Sequence, residues 1–426
     1  MTTTTNTAIR PTPGGKSSQA RTLFGISAAH WLSHVHIMTL PPLFPLLKAE
    51  LGVSYVELGL AVTLFGVISA FTQAPMGVLV DRFGARGILI AGLTLGGAAF
   101  MAIGLLPSYP MLLIGATLAG LANSVYHPAD YALLSIGMDE RRMGRAFSIH
   151  TFAGFLGGAV SPVMMALLAA EAGVGTALLV AGGLGPAIAL LLIFIGLPDS
   201  REATQASAPK KEDDAGRGAT SAARVTTFRD VCSPAMLMLM VFFLLLGLST
   251  GGINGFGVVA LISGYSLNYE TASLAVTLFL GFAATGVLAG GFLADRTQHH
   301  GGVAALCFAL NALIVGSIAW LTPSAVALMM MLAAAGFLAG VITPSRDMLV
   351  RKAAPPGAAG RAFGIVSTGF NVGSIVGPLM YGVIMDYDAP RLVFLVSAGF
   401  MLATVILALV TERRDGRTRT VAGPQG

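Results

Sequence analysis

The sequence predicts an all-α integral membrane protein of twelve transmembrane helices, arranged as two six-helix halves related by an internal repeat. Three observations predict it. Of 426 residues, 55% are hydrophobic and only 11% charged, far too little charge to give a soluble globule of that size a polar surface. Twelve runs between charged or Pro/Gly breaks approach the about 20 mainly apolar residues that cross a hydrocarbon core. A charged turn, Gly77-Val-Leu-Val-Asp81-Arg82-Phe83-Gly84-Ala85-Arg86, returns as Gly291-Phe-Leu-Ala-Asp295-Arg296, its aspartates 214 residues apart. Gly144-Arg145-Ala146-Phe147 and Gly360-Arg361-Ala362-Phe363 repeat at an offset of 216, and Pro162 and Pro378 share that offset, so a duplicated unit explains both pairs.

Taken in order, residues 1–21 are rich in Thr, Ser and Pro with Arg10, Lys16 and Arg21, and read as a disordered tail. No small-residue cleavage site follows the first apolar run, which therefore reads as an uncleaved helix. The first half, 22–197, holds expected spans at 22–47, 56–80, 87–106, 110–136, 144–170 and 174–197. A polar, Lys-, Asp- and Ala-rich stretch over 198–233 reads as a flexible linker. The second half, 234–411, holds spans at 234–262, 270–294, 302–321, 324–350, 360–385 and 390–411, and 412–426 form a second tail.

Basic residues set the orientation. With both termini cytoplasmic, 22 of the 25 Lys and Arg fall in the tails and the even-numbered connections. The exceptions are Lys48 and Arg391 outside and Arg346 near a helix end. The net charge of +5 is thus a topology signal and not a nucleic-acid footprint. Cys232 and Cys307 lie far apart with no metal or redox spacing, so no disulfide framework is expected.

The Asp81 turn, echoed at Asp295, is similar to the signature loop of the major facilitator superfamily, and two six-span halves with a central cytoplasmic loop match that family's layout. Ala29-His30-Trp-Leu-Ser-His34 with Pro45-Leu-Leu-Lys48, and Gly120-x-x-Asn123-Ser124-Val-Tyr126-His127-Pro128-Ala129, resemble the fosmidomycin-resistance branch. That resemblance implies a monomeric, proton-driven exporter of a small compound in a bacterial-type inner membrane, with drug resistance as its setting. It also implies a conformational latch at the cytoplasmic face, built from Gly77, Asp81, Arg82, Gly84, Arg86 and Arg145, with Asp295, Arg296 and Arg361 in the repeat. Three departures stand out. His34 occupies a position where the branch carries an acidic residue, and Ala129 follows His127-Pro128 where an acidic residue is expected, with Asp130 next to it. Ala116 stands where drug-proton antiporters carry an arginine.

No Gly-x4-Gly-Lys-Ser/Thr motif occurs, so energy must come from an ion gradient and not from ATP. The cluster Gly251-Gly252-Ile-Asn254-Gly255-Phe-Gly257 follows no strand and reads as close helix packing, so no cofactor is expected. An intramembrane enzyme would leave the duplicated turns unexplained. Five of seven histidines fall in expected spans of the first half: His30, His34, His36, His127 and His150. Ionisable groups at membrane depth are costly and mark function by default. Three readings compete for them: hydrogen-bonded packing, proton relay with substrate contact, and a transition-metal site on His30, His34 and Met38, which are spaced one turn apart. At about 1.5 Å per residue, His30 and His127 come level across the cavity.

Pro128 frees the carbonyl of Ser124 and bends the fourth span beside His127, and Pro344 is expected to do the same in the tenth. Paired interruptions point to a transporter's central site. Arg346 aligns with Asp130 across the repeat and is followed by Asp347, giving either an anion contact or a neutralised pair. Pro162 and Pro378 mark further bends, while Asn254 and Asn371 either line the cavity or bridge helices. Together these residues suggest proton-coupled efflux of a small compound, anions included, with uptake of a small solute or of copper or nickel as the alternative.

Overall fold

A computed structural model describes residues 15–198, 233–297, 299–354 and 359–421. The tail before residue 15, nearly all of the linker, residues 422–426 and the side chains of Asp295 and Arg361 lie outside the described residues. The regular elements described are all helical. The first half holds α1 (Lys16–Ile37), α2 (Phe44–Leu51), α3 (Tyr55–Phe83), α4 (Ala85–Leu105), α5 (Tyr109–Asn123), α6 (Tyr126–Gly137) and α7 (Met143–Ile195). The second holds α8 (Pro234–Tyr265), α9 (Tyr269–Arg296), α10 (His300–Trp320), α11 (Ala325–Ala353), α12 (Ala359–Asp386) and α13 (Pro390–Val421).

Nine helices among the described residues are long and apolar enough to cross a membrane. One of them, α7, is really two rods, because Gly173 interrupts it at φ 83°, ψ 164°, a conformation open to glycine. The twelve expected spans map onto these helices once α7 is divided and α1 and the pair α5 and α6 are taken as crossings. Boundaries differ at three places. Helix α1 begins at Lys16, inside the stretch expected to be a tail, and ends at Ile37, ten residues early, because Pro41, Pro42 and Pro45 start a new turn and α2. Helix α13 continues to Val421, past the expected start of the last tail.

The prolines do not act alike. The fourth span breaks between Asn123 and Tyr126, where the Ser124 hydroxyl donates to the Leu121 carbonyl at 2.7 Å and competes with the backbone ladder. Contrary to expectation, α11 runs unbroken through Pro344. The residue equivalent to Ser124 there is Gly340, which has no side chain to compete and packs directly on the Ala283 carbonyl of α9. Pro162 and Pro378 likewise lie inside continuous helices.

Within the halves, α1 and α4 pack on α7, α3 on α5, α9 on α11, and α8 on α12 and α13. Small residues set the spacing: a Cβ on Gly336 would overlap the carbonyl oxygen of Phe279. Gly336→Val is therefore expected to cost about 1–3 kcal/mol through overpacking, read as a lower melting temperature in detergent.

The halves meet where α3 lies on α12 and α7 on α9. Thr63 Oγ1 donates to the Ile375 carbonyl at 2.9 Å, and the Val163 amide donates to Thr277 Oγ1 at 3.2 Å. Phe44 and Tyr55 pack on Phe256, with ring centroids 5.2 and 6.4 Å away. All of these contacts lie towards the end that carries α2. One buried core runs continuously through that end into both halves, whereas a second, around Leu89, Leu133 and Ala146, stays within the first half at the end of the Asp81 turn. The halves are closed at the α2 end and open at the other, where His127, Tyr131, Phe147, Phe370 and Asn371 are exposed.

Candidate functional site

Three elements of the first half converge on one buried point. His30 comes from α1, Asp130 from α6 and His150 from α7, and all three are buried. Two local features make this possible. The break after Asn123 restarts the helix at Tyr126, which sets His127 and Asp130 one turn apart on α6. Small residues on α7 admit α1: Gly157 sits against the Trp31 carbonyl, and a Cβ on Gly154 would stand 2.6 Å from His30 Nε2 and 2.9 Å from His34 Cδ2.

Asp130 is fully buried, and neither carboxylate oxygen has a hydrogen-bond partner. Its Oδ2 lies 3.6 Å from His30 Nδ1 and 3.7 Å from His150 Nε2, too far for direct hydrogen bonds. The two imidazoles stack with centroids 4.0 Å apart and planes inclined by 23°. His34 and His127 flank His30 at 4.8 and 5.5 Å, so His30 and His127 are neighbours in one wall and do not face each other across the cavity. His127 is exposed and touches Tyr131, itself 49% exposed, so the chain of rings leads from the open end to the buried carboxylate.

An ionised carboxylate without partners at this depth is costly, and binding a cation removes the cost. Two cations fit the chemistry unequally. His30, Asp130 and His150 offer three ligand atoms within 4.8 Å of one another, so the candidate metal trio contains Asp130 and His150 in place of His34 and Met38. Coordination needs both imidazole lone pairs, which lie in the ring planes, to converge on one point at about 2.0–2.2 Å. Stacked rings aim them side by side, so a metal requires one ring to turn. A proton requires no such rearrangement.

The other expected site residues fall elsewhere. Asn123 bridges helices, donating from Nδ2 to Ser69 Oγ at 2.8 Å. Asn254 is half-buried with an unpartnered Oδ1, and Asn371 is exposed. Arg346 is paired with Asp347 (Nε to Oδ1, 2.9 Å) and lies over the Phe243 ring at 4.7 Å, so it forms the neutralised pair. His36 points away from the cluster and contacts the Ala181 carbonyl at 3.0 Å.

At the open end, Gly84 turns the chain at φ 89°, and Gly77, just before the turn, is half-buried. Asp81, Arg82, Arg145 and Arg296 are exposed, and Arg86 Nη2 donates to the Ile193 carbonyl at 3.4 Å. Asp81 makes no ion pair among the described residues.

One residue that sequence reasoning passed over stands at the closed end. Asp386, the last residue of α12, accepts the Tyr55 amide at 2.8 Å and the Val56 amide at 2.9 Å, both in the first turn of α3. Lys48 Nζ adds a contact at 3.4 Å. The Ser54 and Glu57 amides are satisfied by a capping box between those two residues. The four amides at the start of α3 are thus shared between its own cap and the opposite half. An acidic residue closing the eleventh span, opposite a Ser-x-x-Glu motif opening the second, was the available signal.

A family model described as Major Facilitator Superfamily matches residues 26–300 and 248–425. The chain is 23% identical over 416 residues to the fosmidomycin resistance protein of Escherichia coli (strain K12), covering 95% of this chain and 98% of that one. It is 24% identical over 411 residues to a probable sulfoacetate transporter, SauU, of Cupriavidus necator, covering 90% and 92%. Among solved structures it resembles a bacterial homolog of the human lysosomal transporter Spinster in an inward-facing, unoccupied conformation, with TM-score 0.72, 16% identity and coverage of 94% and 96%. It also resembles the nucleoside transporter NupG, with TM-score 0.71, 15% identity and coverage of 92% and 98%. At these identities the structural likeness speaks for the fold alone. With the family model spanning nearly the whole chain, the protein belongs to the Major Facilitator Superfamily and is a multi-pass membrane transporter.

Proposed function

We propose that the chain is a proton-driven exporter of a small compound, anions included, working as a monomer in a bacterial inner membrane with both termini in the cytoplasm. In this reading the open end faces the cytoplasm, substrate enters between the halves, and the buried Asp130 beside two stacked imidazoles exchanges a proton for it. The observation that carries the reading is that carboxylate, without a hydrogen-bond partner among the described residues yet joined through His30 to the exposed rings of His127 and Tyr131. The relative with fosmidomycin resistance in its name supports export. Exchange follows if proton and substrate bind alternately while the halves rock around them. Asp81, with Arg82, Arg86 and Arg145, closes the cytoplasmic side in the opposite state, and its present lack of an ion pair suits the open one.

The test is proteoliposomes carrying the purified chain, an imposed pH gradient, and fosmidomycin and sulfoacetate as first probes, followed by a panel of anions, antibiotics and divalent metals. Extrusion accelerated by protons moving the other way, with acidification matched to substrate flux, is expected. Substrate moving with protons would reverse the direction, and metal-dependent flux indifferent to pH would replace the proton altogether.

A further inference from the structure

The second half carries a charged group at the place where the first half carries Asp130. Arg346 stands 216 residues after Asp130, the offset of the repeat. Asp130 lies seven residues before Gly137, the end of α6, and Arg346 seven residues before Ala353, the end of α11. At about 1.5 Å per residue both are roughly 10 Å inside their helix ends. Each also lies against a ring from the opening helix of its half, Asp130 beside His30 of α1 and Arg346 over Phe243 of α8. Phe243 precedes Gly247 by one turn, and Phe370, exposed at the open end, packs against Gly247. Arg346 thus belongs to the second wall of the vestibule that opens between the halves.

The two walls differ in sign and in access. Asp130 is fully buried, whereas 19% of the Arg346 side chain and 41% of the Asp347 side chain are exposed. Their ion pair is made through Nε at 2.9 Å, and the Nη1–Nη2 edge has no hydrogen-bond partner among the described residues. Such an edge matches two oxygens of a carboxylate, phosphonate or sulfonate. The Phe243 ring, 4.7 Å from the guanidinium carbon, helps to hold the fork in place. In the first half the exposed rings of His127, Tyr131 and Phe147 offer aromatic surface for the rest of such a ligand.

We propose that Arg346 is the oxyanion-binding residue of the vestibule: its Nη edge holds a carboxylate, phosphonate or sulfonate of the substrate, while Asp347 stays on Nε and weakens the hold. An unpaired guanidinium in a half-buried wall would grip an anion and release it slowly, and a carboxylate beside it repels the anion and loosens that grip. The inference deepens the reading of an exporter that takes small anions, and it rests on that reading for the vestibule being the substrate's path. It is independent of coupling ion and direction.

The experiment treats full-length protein in phosphatidylcholine nanodiscs, with no gradient, with phenylglyoxal, and follows the adduct at Arg346 by peptide mass spectrometry. Phenylphosphonate and benzoate are expected to slow that adduct, the phosphonate at lower concentration, and benzamide, the neutral analogue of benzoate, to leave it unchanged. In Asp347→Asn the half-protecting concentration is expected to fall about fivefold, the size of one screened like-charge repulsion. A purely structural ion pair would not produce that shift, and Asp347→Ser serves if Asp347→Asn misfolds. Arg346→Gln is expected to lose the calorimetric binding of phenylphosphonate. Equal protection by benzamide, or none by either anion, overturns the inference, and so does an unchanged half-protecting concentration without the Asp347 carboxylate. Protection that appears only when phosphatidylglycerol is added to the nanodisc assigns Arg346 to a lipid phosphate and overturns it as well. Because no gradient is applied, failure here leaves proton-driven export standing, and failure of export in proteoliposomes leaves anion binding at Arg346 standing.

Discussion

Asp130→Asn is expected to reduce gradient-driven transport to the level of empty liposomes while exchange of labelled for unlabelled substrate continues. The substitution keeps the shape of the side chain and removes the only carboxylate of the buried cluster, which on the proposed reading is the site where flux is tied to protons. Because the carboxylate has no hydrogen-bond partner, its removal also relieves a desolvation cost, and the melting temperature of the variant is expected to be at least that of wild type. Loss of transport without loss of stability separates a coupling residue from a structural one. Retained acidification coupled to substrate flux in Asp130→Asn would place the exchange elsewhere. His30→Ala serves as the companion measurement, since it removes one face of the stack and leaves the carboxyl in place.

The second large effect concerns Gly59. A Cβ there would stand 2.5 Å from the carbonyl oxygen of Pro378 in the opposite half, closer than real Cβ contacts come. Gly59→Val therefore destabilises the closed α2 end and is relieved once the halves separate. Overpacking of about 1–3 kcal/mol shifts a two-state balance by roughly 5- to 150-fold. Reaction of Phe256→Cys, in a background without Cys232 and Cys307, with a membrane-impermeant maleimide is expected to rise accordingly as Phe256 loses its cover. Unchanged labelling and wild-type transport in Gly59→Val would mean that the two helices never meet this closely.

The sequence carried the architecture because its signals are redundant. Span length, the 214-residue repeat and the distribution of basic residues each report the same two-half plan. The histidines were visible as costly groups at membrane depth, with Asp130 as a neighbour, but the grouping of His30, Asp130 and His150 was not. His30 reaches His150 because Gly154 and Gly157 let α1 come close to α7, and no spacing along the chain encodes that approach. Pro344 lies in an unbroken helix, and so does Pro75 although Thr72 donates to the Ile68 carbonyl beside it, so a proline in the sequence does not by itself announce a break. Asp386 drew no attention in the sequence because its partners are two amides more than 300 residues away.

The asymmetry between an open end and a sealed one has an electrical consequence. On the proposed cycle, water entering the open end brings the potential of its own side up to His127, so the membrane field falls mostly across the layer that Phe44, Tyr55 and Phe256 pack. A proton taken up there by the cluster would cross little of that field, and the charge would be carried through the drop as the halves rock. Under that proposal voltage, about 2.3 kcal/mol per charge for every 100 mV, acts on the rocking step and hardly on the binding step.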